Sequence, residues 1–111
     1  MLVSYEEAGD VRIAAIEGRI NGSNAGELEE TLLTLLNKGT QKFILDFSAV
    51  DYISSAGLRV VLLVAKQTAA ASGTLILCGM QPGVFEIFEM CGFNDILTIV
   101  DTRAAARAFG R

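Results

Sequence analysis

KFILDFSAVDYISSAGLRVVLLVAK, residues 42–66, is the stretch whose reading decides the fold. Lys42 to Phe47 is short and almost wholly apolar, the pattern of a central strand covered on both faces. Residues 55–71 read as a helix that is apolar nearly all round, exposing Arg59, Lys66 and Gln67, so it is expected to be well buried. Between them a strand ends in an acid, Asp46, a loop runs over Ser48–Ser54, and two serines open the helix. Ser54 has the side chain of an N-cap. Ile53 and Leu58 then stand at the two positions of a hydrophobic staple. Ser55 becomes the first helical residue, with its hydroxyl free. Gly57 in the first turn costs helix propensity and is expected to let a partner or a phosphate approach the backbone.

Beyond this segment, Ser72 and Gly73 break the helix and Thr74 to Cys78 reads as another buried strand. Gly79–Gln81 turns, and Pro82 suits the first turn of a third helix packed by Phe85, Phe88, Met90 and Cys91 and stopped by Gly92. Leu97 to Val100 is a last strand, and Asp101 caps a final helix reaching about Phe109. Before the segment, Leu2 to Tyr5 and Val11 to Glu17 are two strands joined by a turn at Ala8-Gly9-Asp10. Gly18–Ser23 is a loop. Asn24 with Glu27 suggests a capping box, Leu28, Leu32, Leu35 and Leu36 recur at helical spacing, and Lys38 and Gly39 end that helix. The order β-β-α-β-α-β-α-β-α predicts an α/β fold. Its sheet is mixed and mainly parallel, with four to five strands, about four helices and the first strand antiparallel near an edge. Sites in such sheets form along the rim of carboxyl strand ends, here the loops Gly18–Ser23, Ser48–Ser54 and Gly79–Gln81.

The 111 residues read as a single domain, 1–111. Apolar residues make up 51% and charged residues 20%, which excludes a disordered chain. There is no histidine, so Ser-His-Asp and Cys-His catalysis, His-ligated metals and an imidazole base are excluded. The net charge is −4 and the pI about 4.7, the wrong sign for a nucleic-acid binder. Cys78 and Cys91 are too few for a disulfide framework or a four-cysteine zinc site and are expected to be small core residues in a reducing cytosol. The acidic start, Met1 to Asp10, is no signal peptide, and the longest apolar run, Val60 to Ala65, is too short to insert in a membrane. Arg103, Arg107 and Arg111 recur every four residues and read as a solvent face, as do Glu86 and Glu89. No cofactor or metal is expected.

The run Asp51-Tyr52-Ile53-Ser54-Ser55-Ala56-Gly57-Leu58, after a strand ending Leu45-Asp46-Phe47, resembles the signature of STAS domains, and in particular that of bacterial anti-sigma-factor antagonists. Glu17-Gly18-Arg19-Ile20-Asn21 is similar to the family's turn before the first helix, and length and element order also agree. The resemblance implies a partner switch. The phosphoacceptor would be Ser55, with Ser54 as the alternative. The kinase would be an anti-sigma factor of the GHKL ATPase type, and a PPM-type phosphatase would remove the phosphate. The partner surface would comprise Asn21, Asp46, Tyr52, Ile53, Ser54, Gly57, Arg59 and Met80. Asn21 and Asp46 would lie beside Ser55, although a turn role explains such residues equally well. The competing reading keeps the fold but makes the chain a constitutive STAS subunit of a lipid-transport or signalling assembly. A third, Ser55 as an enzymatic nucleophile, lacks any histidine to activate it. The protein is thus expected to be a cytoplasmic regulator and no enzyme.

Overall fold

In the computed structural model, residues 1–36 and 40–110 are described. They form a five-stranded sheet in the order β1-β2-β3-β4-β5, made of β1 (Leu2–Ala8), β2 (Val11–Ile20), β3 (Lys42–Ile53), β4 (Thr74–Cys78) and β5 (Thr98–Val100). β1 pairs antiparallel with β2 at one edge, and every other pairing is parallel. The helices are α1 (Ala25–Leu36), α2 (Ser55–Ala70), α3 (Pro82–Met90) and α4 (Arg103–Ala108), with a 3₁₀ turn at Phe93–Asp95. The mixed, mainly parallel α/β fold expected from the strand and helix order is the one observed.

Alternation along the strands sorts the core into two layers. Ala14, Ile16, Phe43, Leu45, Leu75 and Leu77 pack with buried residues of α1, α2 and α3. Their neighbours Ile13, Ile44, Ile76 and Cys78 face the other way, against Ala106 of α4. The central strands are therefore covered on both sides, as their continuous apolar runs predicted. On the α1 side, the buried Arg12 guanidinium donates to Leu35 O and to the Glu7 carboxylate and lies 5.8 Å from the Tyr5 ring centroid. It ties the β1–β2 hairpin to the end of α1. The predicted stop at Lys38 and Gly39 falls outside the described residues, as does Arg111.

The largest departure from expectation is the length of β2 and β3. Ser48–Ile53, read as a loop because it is polar, is strand: Phe47, Val50 and Ile53 are buried while Ala49, Asp51 and Tyr52 face out. The β2–β3 ladder continues through Glu17↔Ala49 to Ile20↔Ile53, with irregularities at Ala15/Glu17 and Gly18/Arg19. β4 stops pairing at Asp46↔Cys78. A two-stranded ribbon therefore runs beyond the rest of the sheet.

Four smaller expectations are corrected. Met90 and Cys91 are exposed rather than packed, because the buried face of α3 is carried by Val84 and Phe88. Thr102, not Asp101, caps α4, its hydroxyl accepting from Ala105 N–H at 3.0 Å. Asn24 opens α1 without a capping box: its Oδ1 accepts from Asn21 N–H, which precedes the helix. Arg103 is half-buried and ion-paired rather than part of a solvent face.

Gly57 is buried, and a Cβ there would lie 2.6 Å from Ile20 Cγ2 and 2.8 Å from Ile53 Cγ1. Its missing side chain lets α2 seat against the ribbon, so the glycine serves internal packing rather than the approach of a partner. Gly57→Ala is expected to destabilise the fold by about 1–3 kcal/mol through overpacking. Gly26→Ala, where the added Cβ meets open space near the start of α1, should instead stabilise by about 0.4–1 kcal/mol. Urea unfolding of both variants checks the contrast.

Candidate functional site

The end of the β2–β3 ribbon meets the start of α2. Ser54 N–H donates to Ile20 O at 2.9 Å, locking the last residue of β2 to the residue that precedes the helix. Ser54 is extended (φ −92°, ψ 173°), and its Oγ accepts from Gly57 N–H at 3.3 Å. The N-cap read from sequence is thus present. Ile53 and Leu58, the staple pair, are both buried in the main core. One residue further on, Ser55 is the first residue of α2 and is exposed. Among the described residues its hydroxyl has no hydrogen-bond partner. Two adjacent serines therefore differ in kind: one hydroxyl is spent on the helix, the other is free.

Around Ser55 the ribbon presents Tyr52, 37% exposed, with the Arg19 guanidinium carbon 4.3 Å from its ring centroid. Arg19 and Tyr52 are register partners across β2 and β3, which is what stacks them. Reading Gly18–Ser23 as a loop concealed that pairing. Arg59 is exposed one turn along α2 from Ser55, the spacing at which helical side chains are neighbours. Asn21 sits at the ribbon's other strand end as a turn residue. Its Oδ1 accepts from Ser23 N–H (3.0 Å), Ser23 Oγ–H (2.7 Å) and Asn24 N–H (3.3 Å), and Asn24 Nδ2 donates to Arg19 O at 2.8 Å. This network fixes the path from β2 into α1.

Three of the expected surface residues do not face outward. Ile53 and Gly57 are buried beneath the α2 junction, and Asp46 is only 8% exposed. Nor does Asp46 lie beside Ser55. It stands where β4 stops pairing, and about 20 Å of extended strand separates it from Ile53. Its Oδ1 accepts from Ser48 N–H at 2.9 Å, and its Oδ2 accepts from Arg103 Nε (3.1 Å) and Nη2 (2.8 Å) on α4. Arg103 also donates to Glu6. Burial pushes the Asp46 carboxyl up, but Ser48 and Arg103 outweigh it and hold it below its ordinary value. Burial, with the Asp46 charge, drives the neighbouring Cys78 thiol up to about 11, so it stays protonated. Met80 belongs to a separate groove between α3 and β5, lined by Pro82, Phe85 and Ile99.

Among the described residues no side chain hydrogen-bonds the Ser55 hydroxyl. What the arrangement offers is a serine displayed at the positive end of a 16-residue helix, on a rim carrying Arg19 and Arg59. The profile of the STAS domain family matches residues 3–106. A Bordetella bronchiseptica protein provisionally named anti-sigma factor antagonist BtrV is 44% identical over 108 residues, covering 97% of this chain and 93% of that one. The anti-sigma-B factor antagonist of Listeria monocytogenes is 29% identical over 84 residues, 76% of this chain and 74% of its own. A Thermotoga maritima crystal structure, provisionally described as an anti-sigma factor antagonist, superposes with a TM-score of 0.89 at 26% identity, covering 95% and 91% of the two chains.

Because the folded Asp46 carboxyl titrates below its unfolded value of about 3.9, its stabilising contribution is present above that pH and is lost as pH falls through the folded value. Asp46→Asn should cost roughly 1.5–3 kcal/mol at neutral pH, the range for hydrogen bonds to charged groups. The gap between the urea midpoints of variant and wild type should narrow below about pH 4. A gap independent of pH would show that the carboxylate charge contributes nothing.

Proposed function

The chain belongs to the STAS family, alongside proteins named anti-sigma factor antagonists, and on that premise we propose that it is a partner switch whose modified residue is Ser55. In the unphosphorylated state it binds an anti-sigma factor that is also a serine kinase of the GHKL ATPase type. That kinase phosphorylates Ser55 and releases it. A PPM-type phosphatase restores the binding form. The regulator supplies no catalytic group of its own, and is the substrate of two enzymes that do.

The observation that carries this reading is the difference between the two serines. Ser54 is half-buried and its hydroxyl already accepts from Gly57 N–H, so modifying it would dismantle the cap of α2. Ser55 is exposed, and its hydroxyl can be modified with no intramolecular bond broken. A phosphate there adds about −1.5 to −2 charges at pH 7. The helix N-terminus favours that charge by roughly 0.3–1 kcal/mol, so the domain need not rearrange. In a partner interface the same charge must be desolvated beside Tyr52 and the cap. A penalty of about 3 kcal/mol changes affinity more than a hundredfold. Release is therefore local blocking of the interface.

Incubation with ATP and a GHKL-type kinase encoded alongside the protein, followed by intact mass, tests the assignment. A single phosphate is expected on wild type and on Ser54→Ala and none on Ser55→Ala. Ser54→Ala should also lose about 1 kcal/mol of stability through its cap. Kinase binding should survive Ser55→Ala and fall at least about a hundredfold with Ser55→Asp. If Ser55→Ala still gains the phosphate, the acceptor is misassigned. If no form gains it and binding is unaffected by Ser55→Asp, the chain is a constitutive STAS subunit.

A further inference from the structure

The charge of this protein is distributed unevenly along its sequence. Residues 67–102 contain Glu86, Glu89, Asp95 and Asp101 and no Lys or Arg, whereas elsewhere nine basic residues meet nine acidic ones. The whole net charge of −4 therefore falls in the segment that carries β4, α3 and β5. All four carboxylates are exposed, and among the described residues none takes part in a salt bridge. The same segment exposes large apolar side chains: Met90 is 78% and Ile96 67% exposed. Between α3 and β5 a groove of about 390 Å³ is lined by Met80, Pro82, Phe85, Ile99, Val100 and Asp101. β5 is an edge strand, with no strand of the described residues on its outer side.

We propose that this face docks a positively charged segment of a protein partner, which inserts an apolar side chain between Met80, Phe85 and Ile99 and sets Lys or Arg residues against Asp101 and Glu86. The groove supplies apolar area to bury, and the uncompensated carboxylates choose the sign of what surrounds the buried side chain. Nucleic acid and anionic membrane surfaces carry the wrong charge for it. The groove is lined by α3 and the carboxyl ends of β4 and β5 and by no residue of the Ser55 motif, so binding there is not expected to require that serine's modification. A protein held here by a basic segment would remain attached while the Ser55 rim changes state.

The probe is a short synthetic peptide with a Leu-Phe pair flanked by Lys and Arg, added to the full-length protein and followed by amide NMR shifts. Two control peptides carry Glu flanks, or Ala-Ala in place of Leu-Phe. The basic apolar peptide should move the amides of Met80, Phe85 and Ile99, with both controls weaker by roughly tenfold or more. Binding should weaken as salt is raised and fall similarly in the exposed-charge variant Glu86→Lys/Asp101→Lys, which should keep the wild-type urea midpoint. Ser55→Asp should bind the peptide as wild type does, so failure of the phosphoswitch leaves this result standing. The proposal is overturned if no peptide shifts these amides, or if Glu-flanked and basic peptides bind equally. It is also overturned if sedimentation shows a dimer that Ile99→Ala dissociates, which would make a second copy the occupant.

Discussion

The hydrogen bond from Ser54 N–H to Ile20 O holds the most important junction in the molecule, where a sheet ends and a helix begins. Without it, the β2–β3 ribbon would be two strands running past the rest of the sheet, and an isolated two-stranded ribbon is marginal in water. The bond closes the ribbon onto α2, and the geometry on either side follows. Ile20 and Ile53 come against the bare backbone of Gly57. Leu58 enters the core, and the helix axis is aimed so that its first residue stands at the tip. Ser55 is displayed there because its neighbours have fully committed themselves elsewhere.

That division of labour separates a rigid support from a surface free to be modified. Ile53, Gly57 and Leu58 are buried and hold position, Ser54 caps, and Tyr52, Ser55 and Arg59 remain in solvent. A modification at Ser55 meets a helix terminus that tolerates an anion, on a support whose packing it does not touch. Such a support would let the proposed modification proceed without a change of fold, which suits a domain made largely of apolar strands and helices.

The parts of this design that are local in sequence are legible in it. The N-cap, the staple, the bounds of α2 and β4 and the exposed serine each depend on residues within about one turn of one another. The ribbon is not legible, because Ser48, Ala49 and Asp51 alternate with buried Phe47 and Val50 through a bulged register, and bulges disguise a two-residue period. Asp46 is likewise opaque. Its partner Arg103 lies 57 residues away and on the opposite face of the sheet, so proximity to the serine motif in sequence suggested a closeness in space that the extended strand prevents. The capping box at Asn24 failed because a stronger local competitor, the Asn21 turn, took its side chain first. Cys91 and Met90 were expected inside on hydropathy alone, and the short α3 had room to bury only Val84 and Phe88.

One strand also fixes the far side of the molecule. Asp46 grips Arg103 at the first residue of α4, while Lys42 Nζ reaches Arg107 O at 2.8 Å and Phe109 O at 2.6 Å at its end. Both grips point from the same face of β3, four residues or about 13 Å apart, with Ile44 between them under Ala106. The acid meets the helix's amino end and the amine its carboxyl end, so the strand carries the complement of the helix dipole in its own alternation. β3 is in this sense a ruler: it admits a helix of one length and one direction. Adding a residue to α4 would turn its far end by about 100° and leave one of the two clasps empty.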